Sequence, residues 1–195
     1  KVSSDSIAKW LAEGLDNSQP AYVGNQNGDA KAAIAGAVKK VEAVYNYPYQ
    51  NHAAMEPMNA TALYTADKCE VWCGTQNGEA AFAATLEASG LPAEKCEVHK
   101  HMLGGGFGRR GMTDYVRQAV LIAKQMPGTP IKLLWSREED MAQGKFHPVT
   151  QCKMTGAFDA DNNLTALHVR LSGQSILFSV RPAALVNGMD PAAFQ

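Results

Sequence analysis

The chain has 195 residues, of which 46% are hydrophobic and 19% charged, and this is the composition of one globular domain or of a domain with an appended arm. Its 18 basic and 19 acidic residues leave a formal net charge of -1, which gives no electrostatic reason to expect nucleic acid or an anionic membrane as a partner. No apolar run approaches the roughly 20 residues that cross a bilayer, so we expect no direct membrane insertion.

The first elements along the chain are predicted to be helical. Apolar residues recur with helical spacing over residues 4–15, which predicts a first helix. Pro20 and the glycine-containing stretch 24–29 then predict a loop, because both residue types interrupt regular structure. A short alanine-rich helix is expected over residues 29–37.

The period of the apolar residues then changes to two, and it predicts a half-buried strand from Val41 to Tyr49. The elements predicted after it are strands over 69–74, 96–103 and 131–136, helices over 77–89 and 113–126, and two longer strands over 150–158 and 164–173. Residues 159–163 supply the turn of a hairpin between those last strands, which makes them antiparallel. The fold class is therefore predicted to be α/β (α+β), with a mixed sheet, two or three packed helices and an N-terminal helical arm.

The four cysteines have no metal-binding spacing. Cys69 and Cys73 are the only close pair, and no second pair or histidine cluster follows at the distance of a zinc site. Cys69, Cys73, Cys96 and Cys152 all fall in predicted strands, where free cysteine behaves as a small apolar residue. We predict that they are buried and inert.

The glycine-rich stretch Met-Leu-Gly-Gly-Gly-Phe-Gly-Arg-Arg-Gly occupies residues 102–111, directly after a predicted strand and before a helix. Its glycines let the backbone approach a ligand closely and aim amide N–H groups at a phosphate or an oxo group. Arg109 and Arg110 could pair with phosphate oxygens in forked geometry. The alternative is a tight strand-to-helix connection with two solvated arginines.

Residues 106–111 also fit the G-x-G-x-x-G fingerprint of dinucleotide-binding domains. The strand before them carries Glu97, His99 and His101 on one face, whereas the first strand of such a domain is covered on both faces. This polar face argues against a dinucleotide-binding domain. A nicotinamide-dependent dehydrogenase is kept as the second hypothesis because of the glycine pattern, with Glu138 as the nearby acidic residue for the ribose. His99 and His101 could suit a metal, but without a third ligand we favour a polar sheet face.

Two polar segments have alternative interpretations. Residues 49–59 crowd polar and ionisable groups at the end of a strand, and they form either a capped loop or part of a ligand site. Glu56 precedes a proline and is expected to be extended. The charge run at 136–140 is expected to be a solvated helix start.

Four sequence blocks follow one another along the chain: Asn51–Met58, Gly74–Asn77, Gly104–Gly108 and Trp135–Met141, the last followed by His147 and Pro148. In this order and spacing they resemble the large, molybdopterin-binding subunit of the xanthine dehydrogenase/aldehyde oxidase family. They are most similar to its isoquinoline 1-oxidoreductase-like branch, in which the corresponding chain is the beta subunit. The resemblance covers about residues 41–173.

In that family the large subunit holds molybdenum on a pterin, often extended as a cytosine dinucleotide, and hydroxylates an electron-poor carbon with oxygen from water. The resemblance implies that Gln50 hydrogen-bonds a molybdenum oxo ligand and that Phe107 and Gly108 pack beside the metal and the pterin. An amide donor and a bare backbone can stabilise an oxo group without adding charge. The full set of implied cofactor-binding residues is Gln50, Gln76, Gly105, Gly106, Phe107, Gly108 and Arg109. No direct protein ligand to the metal is expected.

The chain departs from the family pattern in two respects. Gly111 stands where purine-oxidising relatives have a glutamate, so xanthine is not expected as the substrate. The glutamate that serves the family as its base lies in a part that would follow residue 195, so no catalytic residue is expected in this chain. Both ends also look cut, because Lys1 is not a start methionine and the last residues lack a helix cap. We therefore expect an incomplete piece that is inactive alone and retains no cofactor.

The predicted organisation has three parts: an N-terminal helical arm or linker over residues 1–38, a partial molybdenum-cofactor-binding domain over residues 39–174, and a truncated tail over residues 175–195. For the intact protein, the resemblance implies hydroxylation of an aldehyde or an N-heteroaromatic ring, in a bacterial periplasm or cytoplasm. Electrons would pass to a small 2Fe–2S subunit, and from there to a cytochrome c in some relatives, because this chain has no cysteine set for such clusters. A non-catalytic scaffold domain is the third hypothesis.

Overall fold

The computed structural model describes residues 1–18 and 22–194, and it divides into two compact units. The first unit contains Lys1–Gln50 and His147–Gln195, and the second contains Asn51–Phe146. The chain therefore leaves the first unit after Gln50 and re-enters it at His147. Pro20, which was expected to lie in a loop, falls outside the described residues. The boundaries expected after residues 38 and 174 stay a prediction.

Six helices and nine strands are described. The helices are α1 (Ser4–Asp16), α2 (Ala30–Ala35), α3 (Gly78–Ser89), α4 (Asp114–Ala123), α5 (Arg137–Gln143) and α6 (Ile176–Val180). The strands are β1 (Lys39–Tyr47), β2 (Gln50–Asn51), β3 (Asn59–Tyr64), β4 (Cys69–Gly74), β5 (Cys96–His101), β6 (Ile131–Leu134), β7 (Phe146–His147), β8 (Thr150–Phe158) and β9 (Leu164–Gly173). Short 3₁₀ helices occupy Ala93–Lys95, Arg109–Gly111, Pro182–Ala184 and Pro191–Phe194. The mixed α/β class is confirmed, while β3 has no counterpart among the predicted elements.

The first unit is built on an antiparallel sheet in the order β1-β8-β9. The predicted N-terminal helices α1 and α2 are present, and both pack on β8 and β9. A side chain at Gly14 would collide with Ser172, so the glycine permits the close approach of α1 to the sheet. The face of β9 opposite Ser172 carries Leu167 and Leu171, which are 53% and 64% exposed. The helices therefore cover one face of the sheet, and apolar side chains remain exposed on the other.

The second unit contains a four-stranded sheet in the order β5-β4-β3-β6. β4 and β5 run parallel, whereas β3 is antiparallel to both of its neighbours. Helices α3 and α4 pack against each other and on this sheet. Small residues at the contact allow a close approach of the helices, and those that are buried are Ala81, Ala84, Ala88, Ala119 and Ala123. The core therefore lies between one face of the sheet and this helix pair.

The cysteines lie in strands of the two units, one in the first unit and three in the second. All four are free; Cys69, Cys73 and Cys152 are buried and Cys96 is half-buried. Burial raises the pKa of the Cys69 and Cys73 thiols to about 11, so both are protonated and unreactive at neutral pH. The prediction of buried cysteines is confirmed for three of the four.

Among the described residues, no helix has both the length and the apolar character needed to cross a membrane.

Two methionines that lie close in sequence should respond very differently to truncation. Met58 is fully buried in the core of the second unit, whereas Met55 is 88% exposed. We expect Met58→Ala to lower the free energy of unfolding by about 2–5 kcal/mol, because a buried side chain is lost and a cavity remains. Met55→Ala should change it by less than about 0.5 kcal/mol. Urea unfolding followed by tryptophan fluorescence measures both values, and equal midpoints would contradict this core.

Candidate functional site

The glycine-rich loop between β5 and the 3₁₀ helix Arg109–Gly111 has an unusual backbone. Gly105 and Gly108 have φ values of 93° and 102°, a region that glycine adopts readily. Phe107 also has a positive φ, of 54°, which costs a residue with a side chain conformational energy. Its side chain is 66% exposed. The surroundings must therefore hold the loop in this shape.

Gln76 supplies one part of that support. Its side-chain Oε1 accepts hydrogen bonds from the N–H groups of Gly108 (3.0 Å) and Arg110 (3.2 Å). Its own backbone N–H donates to the carbonyl oxygen of Arg110 at 3.1 Å. A side chain at Gly106 would collide with the Gln76 amide, so a larger residue there would displace that amide. The structure thus brings together Gln76, Gly106 and Gly108, three of the residues predicted to bind the cofactor.

Arg110 supplies the second part, and it is fully buried. Its Nη2 donates to the Glu56 carboxylate at 2.9 Å and to the Glu56 carbonyl at 2.8 Å. Its Nε donates to the Gly105 carbonyl at 2.8 Å, and its Nη1 to the Gly74 carbonyl at 3.2 Å. The Glu56 carboxylate also accepts the N–H of Gly104 at 2.7 Å. One guanidinium group therefore ties the loop to the end of β4 and to the segment before β3.

The ionisation of Glu56 follows from these contacts. Burial by itself would raise the pKa of this carboxyl group. The hydrogen bonds from the Gly104 N–H and from Asn59, together with the charge of Arg110, outweigh burial and lower the pKa below its usual value. Glu56 is therefore an ionised structural partner of Arg110 at neutral pH.

Arg109 is anchored separately. Its guanidinium group forms a forked pair with the Asp114 carboxylate, at 2.8 and 2.7 Å, and lies 5.3 Å from the centre of the Trp135 ring. The residue is 2% exposed, and its Nε has no hydrogen-bond partner among the described residues. Both arginines are thus buried with internal partners, an arrangement different from phosphate pairing and from solvated side chains. The assignment of Arg109 to a cofactor site stays a prediction.

Hydrogen bonds connect Asn51, at the end of β2, and the residues after it to α5. The Asn51 amide donates to the carbonyl oxygens of Asp140 and Met141 at 3.2 and 3.1 Å. Arg137 donates to the carbonyl oxygen of Ala54 and also pairs with Asp140, which is 2% exposed. The charge run does begin a helix, as expected, but the expectation that it is solvated is wrong for Asp140.

Gln50 and the other candidate cofactor-binding residues belong to different units of the chain. Gln50 is exposed and ends the first segment of the first unit, whereas Gln76 and residues 105–109 belong to the second unit. The role expected for Gln50 therefore rests on the resemblance alone. Sequence reasoning did not find the supporting roles of Glu56, Arg110 and Asp114, because their contacts are tertiary.

Known proteins show a consistent pattern of similarity. The family model described as the molybdopterin cofactor-binding domain matches residues 15–187. A membrane-bound aldehyde dehydrogenase (pyrroloquinoline-quinone) of Gluconacetobacter polyoxogenes is 30% identical over 146 residues, covering 75% of this chain and 19% of its own length. Isoquinoline 1-oxidoreductase subunit beta of Brevundimonas diminuta is 33% identical over 134 residues, covering 67% and 17%. The chain thus spans about a fifth of the length of these relatives.

Solved structures show the same fold. The aldehyde oxidoreductase of Desulfovibrio gigas superposes with a TM-score of 0.58 at 19% identity, over 74% of this chain and 16% of its own. Quinoline 2-oxidoreductase of Pseudomonas putida 86 superposes with a TM-score of 0.57 at 21% identity, over 73% and 18%. At these identities the likeness supports the fold.

Replacing Glu56 tests the anchor of the loop. Glu56→Gln removes the carboxylate that pairs with the buried Arg110, and we expect the free energy of unfolding to fall by about 1–3 kcal/mol. This is less than for a fully enclosed pair, because the Glu56 side chain is 38% exposed. Since the folded-state pKa is lowered, the ion pair contributes fully above the usual value of 4.5 and is lost as the pH falls through the lowered value. Urea unfolding should therefore show a smaller difference in stability between wild type and variant at pH 3 than at pH 7. Glu94→Gln, at an exposed position, is the control, and an equal effect there would contradict the anchor.

Replacing Gln76 tests the second support. Gln76→Ala removes the acceptor of the Gly108 and Arg110 N–H groups, and we expect amide hydrogen exchange at both to accelerate about fivefold or more, for a loss of about 1 kcal/mol each. Gln76→Glu keeps an acceptor oxygen and should preserve slow exchange. Unchanged exchange in the alanine variant would show that Gln76 does not hold the loop.

Proposed function

The chain belongs to the molybdopterin cofactor-binding domain family of oxidoreductases, and from this premise we propose that it is part of the large subunit of a molybdenum hydroxylase. The proposed reaction of the intact protein is oxidation of an aldehyde or an N-heteroaromatic substrate with oxygen derived from water. We further propose that the pterin carries a cytosine dinucleotide and that electrons pass to a small 2Fe–2S subunit, with a cytochrome c as a further acceptor. The chain by itself is proposed to be inactive and to retain no cofactor.

One observation carries the proposal: three successive backbone N–H groups of the loop have no acceptor in the described part of the chain. These are the N–H groups of Gly105, Gly106 and Phe107. Backbone donors that are held in a fixed loop and have no partner within the protein suit an oxo group or a pterin edge. Phe107 is exposed beside them and offers an apolar ring for packing.

The charge of the loop also fits a cofactor held by neutral donors. Arg109 and Arg110 are next to the loop, yet Asp114 and Glu56 respectively neutralise them. The groups left for contact are backbone amides, the Phe107 ring and the side-chain amide nitrogen of Gln76. When bound, the molybdenum–pterin group would supply oxygen-atom transfer and accept the two electrons of the oxidation. The part proposed for these residues is to position that group and to add no charge beside it.

The proposed substrate class rests on the family resemblance at Gly111. Purine-oxidising relatives have a glutamate at this position, and Gly111 offers no carboxylate, so aldehydes and N-heterocycles are preferred to xanthine. The proposal of an iron–sulfur partner subunit rests on the resemblance; the four free cysteines, three of them buried, offer no cluster-binding set among the described residues.

The dinucleotide-binding alternative has little support. The strand before Gly106–Gly111 is β5, an edge strand of a mixed sheet, and the loop enters a three-residue 3₁₀ helix. A Rossmann fingerprint instead joins a central parallel strand to an α-helix whose N-terminus holds the pyrophosphate. A scaffold without a cofactor is the competing hypothesis that the following experiment separates.

The test is the molybdenum content of the intact gene product, purified with its partner from its native host. We expect about one molybdenum per polypeptide, a pterin released on denaturation, and oxidation of aldehydes or N-heterocycles. Gln50→Ala should lower turnover by about 10–1,000-fold if its amide binds the oxo ligand, whereas Gln26→Ala, in the loop before α2, should not. Well-folded protein with neither metal nor pterin would leave the scaffold hypothesis and remove the roles given to Gln50, Phe107 and Gly108.

A further inference from the structure

On the outer face of the sheet in the second unit, three side chains of the types that bind metal ions lie close together. The parallel register of β4 and β5 places Glu70 opposite Glu97 and Trp72 opposite His99. All four therefore project on one face, while the intervening Val71 is buried on the other face. One ligand atom from each of Glu70, Glu97 and His99 can be chosen so that all lie within 4.8 Å of one another. Glu70 comes from the neighbouring strand and therefore could not be found beside His99 in the sequence; His101 is not part of the cluster.

The His99 ring is held in a defined orientation. Its Nε2 lies 3.3 Å from Glu70 Oε1, and its Nδ1 lies 3.8 Å from Glu97 Oε1. The ring stacks on Trp72, with centroids 4.9 Å apart and planes inclined by 12°. Because packing and the neighbouring carboxylates already fix the orientation of the His99 ring, less conformational entropy is lost when a metal ion binds.

The two carboxylates already bind a cation, the ammonium group of Lys68. Its Nζ lies 2.9 Å from Glu70 and 3.0 Å from Glu97. The Lys68 side chain is 48% exposed, so it can move into solvent at a small free-energy cost. One positive charge balances only half of the two negative charges. The ammonium group of Lys68 therefore lies between the carboxylate oxygens of Glu70 and Glu97, and a metal ion that bound there would displace it.

We propose that Glu70, Glu97 and His99 form a binding site for a divalent transition-metal ion such as Zn²⁺. One imidazole nitrogen and one oxygen from each carboxylate supply three ligands, and water completes the coordination. The imidazole favours Zn²⁺, Ni²⁺ or Cu²⁺ over Mg²⁺ and Ca²⁺, which prefer oxygen ligands alone. Lys68 competes with the ion and lowers its affinity. This site does not depend on the proposed molybdenum chemistry.

The test is calorimetric titration of the untagged 195-residue chain with ZnCl₂. We expect one bound ion per chain, and a loss of affinity of about tenfold or more in His99→Gln. His101→Gln is the matched control, because His101 lies two residues further along the same strand and outside the cluster; it should leave the affinity unchanged. Lys68→Met should raise the affinity, because it removes the competing ammonium group.

Trp72 provides a second readout. Binding of Cu²⁺ beside His99 should quench its fluorescence, and Trp72→Phe should remove that quenching while calorimetric Zn²⁺ binding persists. Glu97→Gln, at an exposed side chain, should also weaken binding and leaves the core untouched. Equal losses of affinity in His99→Gln and His101→Gln, or weaker binding in Lys68→Met, would overturn the proposal. So would the absence of Zn²⁺ binding in folded wild-type chain.

Discussion

The glycine-rich loop depends on one buried charge, the guanidinium group of Arg110. An ion without water is stable only when its hydrogen-bonding groups have partners, and here the partners are the Glu56 carboxylate and four backbone carbonyls. Two of those carbonyls belong to Gly105 and Gly74, on the loop and at the end of β4. The requirement of one side chain thereby fixes the positions of three chain segments.

This arrangement separates the charges that hold the loop from the surface that the loop presents. Arg110 and Arg109 are each neutralised by a carboxylate, Glu56 and Asp114 respectively, and neither guanidinium group reaches solvent. Phe107 and Gly108 are exposed. A surface of backbone amides and one aromatic ring suits a neutral contact with a pterin or an oxo group better than it suits a phosphate. The strained φ of Phe107 fits such a role, because strain persists where surrounding contacts over-determine the backbone.

The two units differ in how completely they bury apolar surface. In the second unit, helices α3 and α4 enclose a core of valines and alanines. In the first, α1 and α2 lie on the face of the sheet that carries Ser172, and Leu167 and Leu171 remain exposed on the other. These two relatives are about four times as long as this chain, because the 146 and 134 aligned residues make up 19% and 17% of their lengths. Their additional length is a reason to treat turnover and electron transfer as properties of a larger protein.

Local sequence alone predicted most of the regular elements. Periods of 3.6 and two identify α1, α4, β8 and β9 with small errors at their ends, since these periods state directly which side chains share a face. The end of α3 was predicted from the helix-stopping residues Gly90 and Pro92. The density of glycine identified the loop at residues 104–108 as a place of close backbone approach. Strand β3 was missed because Asn59–Tyr64 is short and rich in alanine, which carries little strand preference.

Only the tertiary structure decided which polar side chains act together. Arg110 meets Glu56, 54 residues earlier in the chain, and no local pattern contains that pairing. Glu70 reaches His99 only because β4 and β5 are parallel and in one particular register, which a shift of one residue would destroy. Periodicity in a sequence reports the face on which a residue lies, whereas the partner on that face depends on how distant segments are packed.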